Sequence, residues 1–184
     1  MAIEAARRHL AQWGRDRDIL EFETSSATVE LAAQAAGVEP ARIAKSLTFR
    51  NGDGALMVVA AGDARTDNGR FKAAFGMKPR MLTAEEALHF TGHAVGGICP
   101  FGLATDMPVW LDVSLRRFDI VLPACGSGNS AIRLTLAELE QYAGVRGWVD
   151  VCRGWQDAEY GDAAPCRDQD SGKAPGEDAA CCTT

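Results

Sequence analysis

The chain has 184 residues, 47% of them hydrophobic and 24% charged, which suits one globular domain with a sizeable core. Its net charge of −6 is uneven: residues 156–184 hold seven acidic side chains against two basic ones, leaving −1 for residues 1–155. A near-neutral body excludes a protein that coats nucleic acid through overall basicity, and the longest apolar run, Ala55 to Ala61, is far too short to span a membrane.

Ile3, Ala6, Leu10 and Trp13 recur at helical spacing and predict an amphipathic helix over 3–16. With neither an apolar core nor a small-residue cleavage site there, no secretory signal is expected and the protein reads as cytoplasmic. Ile19 to Glu23 alternates as a half-buried strand does. Thr24-Ser25-Ser26 offers hydroxyl caps for a helix beginning at Val29 and closed by Gly37, and Pro40 starts a short helical turn. Lys45 to Arg50 and Ala55 to Ala61, around Asn51-Gly52-Asp53-Gly54, predict a β-hairpin. In it Lys45 shares a face with Leu47 and Phe49, so it must snorkel, pair or meet a ligand.

Asp67 caps a predicted helix through Phe71 and Phe75 to Gly76, and Thr83-Ala84-Glu85-Glu86 is a capping box for another ending near Gly92. Gly96-Gly97-Ile98-Cys99-Pro100-Phe101-Gly102 follows: either a tight half-buried turn or a loop whose main-chain donors hold an oxygen-rich group. Val109–Val113, Asp119–Cys125 and Trp148–Cys152 read as strands. Gly126-Ser127-Gly128-Asn129-Ser130-Ala131 matches a dinucleotide fingerprint in letters only, because the alternation from Ala131 to Leu136 predicts a strand where that motif needs a helix. Thr135 opens a second capping box for a helix running to Gly144. The expected fold is one compact α/β domain over 1–155 with a mixed, barrel-like sheet, followed by a disordered acidic tail over 156–184.

Among the six cysteines no C-x-x-C pair occurs, and Cys99, Cys125 and Cys152 read as buried small hydrophobes, so no metal and no cofactor are expected. His93 reads as a surface or helix-end histidine rather than a general base, and Cys99 as a packed residue with no base beside it. Asp112 either pairs with a cation or caps the turn at Ser114. Arg65, Arg70, Lys72, Lys78 and Arg80 form a basic run that is a solvated face or a phosphate contact.

The succession Ala41-Arg42-Ile43-Ala44-Lys45-Ser46-Leu47, Ala61-Gly62-Asp63, Thr91 to Gly102, Leu111-Asp112-Val113-Ser114-Leu115 and Cys125-Gly126-Ser127-Gly128-Asn129 closely resembles the YbaK family over about residues 20–155. Those proteins are free-standing relatives of the editing domain of bacterial prolyl-tRNA synthetases. The resemblance implies a metal-free aminoacyl-tRNA deacylase acting in trans on mischarged tRNA, with Ser, Thr, Ala and Cys esters in its range. It ties activity to Lys45 and lines the pocket with the loop from Gly96 or Gly97 to Pro100. Lys45 and Gly97 are the expected catalytic residues, Gly96, Ile98, Pro100 and Phe101 the expected loop wall, Gly126, Ser127 and Asn129 the opposite wall, and Thr24 and Ser25 polar contacts. The expected partners are the acceptor end of an aminoacyl-tRNA, touched by the basic run, and an aminoacyl-tRNA synthetase, with neither DNA nor membrane. The rival readings are a catalytically silent tRNA-binding module of the same fold and a thiol or metal protein using Cys99, Cys125 and Cys152.

Overall fold

A two-residue turn at Gly52-Asp53 reverses the chain and pairs β2 (Ile43–Asn51) antiparallel with β3 (Gly54–Ala61), in register from Ala44↔Ala61 to Asn51↔Gly54. The computed structural model describes residues 2–156, and the tail expected over 156–184 lies, Gln156 aside, outside them. Every residue of β3 from Ala55 to Ala61 is buried, the pattern of a strand covered on both faces and flanked on both edges. The hairpin is the centre of a six-stranded sheet completed by β5 (Val109–Asp112), β6 (Ile120–Pro123), β8 (Leu134–Thr135) and β9 (Gly147–Val149). Strand order is β8-β6-β2-β3-β5-β9, with β2–β6, β3–β5 and β5–β9 parallel and β2–β3 and β6–β8 antiparallel. The sheet curls into a half-barrel, the mixed barrel-like architecture expected.

Five helices surround it among the described residues: α1 (Ala2–Leu10), α2 (Val29–Ala36), α3 (Asn68–Phe75), α4 (Ala84–Thr91) and α5 (Leu136–Tyr142). Their starts are written locally. Thr83 and Thr135 each form a reciprocal capping box, with Glu86 and Glu138, and Asp67 accepts from Arg70 N at 2.9 Å. The apolar faces meet in a core whose largest fully buried members include Phe49, Phe71, Phe101, Leu111, Leu115 and Ile132. Each such side chain contributes about 1.5–3 kcal/mol by leaving water. The rings of Phe49 and Phe71 pack tilted at 53° with centroids 4.7 Å apart, fastening α3 to the hairpin.

The structure corrects several expectations, among them the strand expected from Ala131 to Leu136, which is broken at Ile132-Arg133 with Leu136 already opening α5. The first helix stops at Leu10 and tightens into a 3₁₀ turn at Ala11–Trp13, closed by Gly14. Thr28, not Thr24 to Ser26, caps α2 by accepting from Leu31 N, because Ser26 Oγ turns instead to Gly128 O at 3.2 Å. The strand over Ile19–Glu23 shrinks to β1 (Leu20–Glu21), since its partner among the described residues, β7 (Ser130–Ala131), is two residues long. The run Trp148–Cys152 breaks in two: Asp112 Oδ2 takes the N–H groups of Val151 and Cys152, so β10 (Cys152–Arg153) leaves β9 and pairs with β4 (Arg65–Thr66).

Candidate active site

The pairing of β2 with β6 covers only Ile43↔Leu122 and Ala44↔Pro123, and that edge of β2 is next touched by the Phe49↔Met81 bridge. Between those points β2 borders a cavity of about 360 Å³. One wall is the chain from Ser26 to Val29 with Ala32 of α2; another is Val95, Gly96 and Ile98; Ala124, Ser130 and Ala131 close the far side. Met81 and Val95, 59% and 66% exposed, stand at its mouth.

Lys45 lies on this edge, half-buried. Its Nζ donates to Gly62 O at 2.9 Å and to Ala64 O, so the ammonium is fixed by the carbonyls that follow β3 and keeps one further N–H. A Cβ on Gly62 would fall 2.0 Å from Pro40 O and 2.6 Å from Val29 Cγ1, so only glycine lets this turn approach the cavity wall. Burial pushes the Lys45 ammonium below the ordinary lysine range, partly offset by Asp63 nearby. Asp63 itself is held by Arg117 through two hydrogen bonds of 2.6 and 3.0 Å.

The glycine loop meets the cavity at one end only. Gly96 and Ile98 line it, whereas Gly97 is buried behind them, where a Cβ would lie 2.7 Å from the main chain of Ser127. Gly97 O accepts from Gly126 N at 3.1 Å, which ties the two glycine-bearing loops together. Phe101 is wholly buried in the core, and Pro100 borders a different opening of about 690 Å³ with His9 and Arg146. Gly126, Ser127 and Asn129 brace the wall from behind: Ser127 Oγ donates to Ser130 Oγ at 2.7 Å and Asn129 Nδ2 to Phe22 O at 3.0 Å. Thr24 and Ser25 are exposed, two residues and one residue before the lining residue Ser26.

His93 is fully buried, contrary to expectation. Its N–H is caught by Thr91 Oγ1 and its Nε2 lies 2.9 Å from Phe101 O and 3.5 Å from Cys99 Sγ, so it pins the loop from inside. Cys99 therefore has an imidazole beside it, yet burial pushes its thiol up to about 12. We expect native Cys99 to resist iodoacetamide in the folded protein; rapid alkylation would restore the thiol as a reacting group. Asp112 caps the turn at Ser114, accepting from its N–H at 3.0 Å. Among the described residues no group of three or more His, Cys, Asp or Glu is placed to hold a metal ion, and no helix is long and apolar enough to cross a membrane.

All five residues of the basic run are exposed. Lys78 and Arg80 lead directly into Met81 at the cavity mouth, whereas Arg70 is paired with Asp150 at 2.6 Å. Sequence reasoning missed Ser46, Thr48, Met81 and Leu82 as lining residues. The signal was the polar face of β2 opposite Lys45; both faces line the cavity because it opens at the strand's edge.

The aminoacyl-tRNA editing domain family matches residues 23–142. The uncharacterized protein YwhH of Bacillus subtilis is 55% identical over 157 residues, 85% of this chain and all of that protein. A proline–tRNA ligase of Thermotoga maritima is 36% identical over 90 residues, 48% of this chain but 15% of the ligase. A solved structure described as a candidate trans-editing enzyme for prolyl tRNA synthetase superposes with a TM-score of 0.76 at 32% identity, covering 83% of this chain and 98% of that one. With the editing domain matched across the hairpin, the glycine loops and the cavity they enclose, the chain belongs to the aminoacyl-tRNA editing domain family.

Proposed function

We propose that this protein is a cytoplasmic aminoacyl-tRNA deacylase that acts in trans, hydrolysing the ester of a mischarged tRNA. The observation that carries the reading is the cavity at the open edge of β2, which Lys45, its ammonium fixed on two carbonyls, lines together with Gly96 and Ile98. An aminoacyl ester is already activated, so a positioned water and preorganised charge suffice without a side-chain nucleophile. Lys45 supplies positive charge for the developing oxyanion or a terminal phosphate, the loop's main chain supplies close approach, and the tRNA's ribose hydroxyl helps to order the water. Lys78 and Arg80 at the mouth attract acceptor-stem phosphates without reading bases, with Arg65, Arg70 and Lys72 further out. Similarity to a structure named for prolyl-tRNA synthetase, and to a candidate Cys-tRNA(Pro)/Cys-tRNA(Cys) deacylase, EbsC of Enterococcus faecalis (28% identical over 58% of this chain), favours tRNA(Pro) as carrier and that synthetase as partner.

The test is single-turnover deacylation of tRNA(Pro) charged separately with Ser, Thr, Ala, Cys and Pro. Rapid release from at least one mischarged species, with prolyl-tRNA spared, is the expected result. No release from any of them with tight tRNA binding retained would make the chain a silent binding module instead.

A further inference from the structure

Five hydroxyl side chains line the cavity: Ser26, Thr28, Ser46, Thr48 and Ser130. Three of them are engaged within the protein. Ser26 Oγ donates to Gly128 O at 3.2 Å, Thr28 Oγ1 caps α2, and Ser130 Oγ exchanges hydrogen bonds with Ser127. Ser46 Oγ is buried with no hydrogen-bond partner. Nearly all buried hydroxyls in folded proteins are paired, so an orphan bordering a cavity points to a group that arrives with the ligand.

Ser46 lines the cavity from the stretch of β2 whose outer edge no strand covers. Thr48 O accepts from Leu82 N, and Arg50 N donates to Arg80 O, so these alternate residues of β2 turn their main-chain groups to the outer edge. Ser46, two residues before Thr48, turns its main-chain groups the same way, into the gap between the last β6 pair at Ala44 and the Met81 bridge, and its side chain borders the cavity there. The rest of the lining there is apolar, including Val29, Ala32, Ile43, Ile98, Leu122 and Ala131. Among the hydroxyls of these walls, Ser46 Oγ is the one that is buried with no partner, with Thr48 beyond it on the same strand face.

Building on the deacylase reading, we propose that Ser46 sets the substrate class: its Oγ pairs with the side-chain hydroxyl of a seryl or threonyl ester, so that hydroxyamino acids are removed in preference to alanine. A site with a hydroxyl waiting for a partner discriminates against the analogue that lacks one.

The test uses the full chain, wild type and Ser46→Ala, on tRNA(Pro) carrying Ser, Thr or Ala. In parallel, calorimetry measures binding of the non-hydrolysable amides 3′-seryl- and 3′-alanyl-amino-3′-deoxyadenosine. We expect wild type to favour seryl over alanyl about tenfold in both assays, and Ser46→Ala to bring the ratio near one, chiefly by loss on the seryl side. The variant should melt no lower than wild type, because the lost oxygen has no partner in the protein. Absence of a seryl or threonyl preference in wild type, or equal loss on all substrates in the variant, would overturn the assignment; the latter places Oγ against the shared ammonium or ribose. A lowered melting temperature would also overturn it, by showing that Oγ is engaged within the fold. If wild type releases no ester yet binds the seryl amide preferentially through Ser46, the deacylase reading fails and the recognition stands; if neither amide binds, both fail.

Discussion

Lys45→Ala is expected to slow release of the aminoacyl group at least a hundredfold in single turnover, the scale seen when one preorganised donor to a developing oxyanion is removed. The reason lies in how the ammonium is held. Two of its protons go to Gly62 O and Ala64 O, so its position is fixed before any ligand arrives, and Lys45 is among the residues that line the cavity. The fold is expected to survive within about 1 kcal/mol, because two carbonyls lose a donor while a desolvated charge is relieved. Lys45→Arg is not expected to rescue the rate, since a planar fork cannot take the place of a point charge between those two carbonyls. Burial holds the folded-state pKa of Lys45 below its ordinary 10.5. The lysine-dependent rate therefore declines on the alkaline side earlier than a free lysine would dictate. In that interval the unfolded chain still binds the proton that the folded one has released, so this residue's contribution to stability rises with pH. Rates that persist in Lys45→Ala within a few-fold would leave an esterase but remove Lys45 from its site.

What could be read from the sequence was what neighbouring residues decide among themselves. The hairpin around Gly52-Asp53, the boxes at Thr83 and Thr135 and the cap at Asp67 each depend on residues within four positions, and each is where the pattern put it. The motif residues Lys45, Gly96 and Ile98 do converge on one cavity. What the pattern could not supply was distance-dependent. That β6 leaves β2 after Ala44 is settled by the path of residues 120–131, and this departure opens the edge that makes Ser46 and Thr48 lining residues. His93 looked like a helix-end residue because its burial comes from the folding-back of Cys99 to Phe101 over it. Gly97, Gly126, Ser127 and Asn129 belong to the motifs yet stand behind the wall, because a glycine motif records close approach of backbones as readily as close approach of a ligand.

Asp112→Ala should cost about 3–5 kcal/mol of folding stability, read as a shift of the denaturant midpoint at unchanged slope. This carboxylate is wholly buried at the end of β5 and has three main-chain donors: Ser114 N at 3.0 Å on Oδ1, Val151 N at 2.9 Å and Cys152 N at 3.1 Å on Oδ2. Alanine would leave all three N–H groups buried and unpaired, each a desolvation penalty of about 1–3 kcal/mol, relieved in part by local movement. Against a total stability of about 5–15 kcal/mol that loss is large. Asp112→Asn should be milder, because its carbonyl oxygen can keep one side of the arrangement while its amide opposes the other donors. The same residue ties the site to the fold. By drawing Cys152 away from β9 it sets the pairing Cys152↔Thr66, next to the Ala64 carbonyl that holds Lys45. Activity of Asp112→Ala should therefore fall even at temperatures where most of the chain remains folded. A midpoint within 1 kcal/mol of wild type would mean that water or a shifted backbone replaces the carboxylate, and that Lys45 is positioned by the hairpin alone.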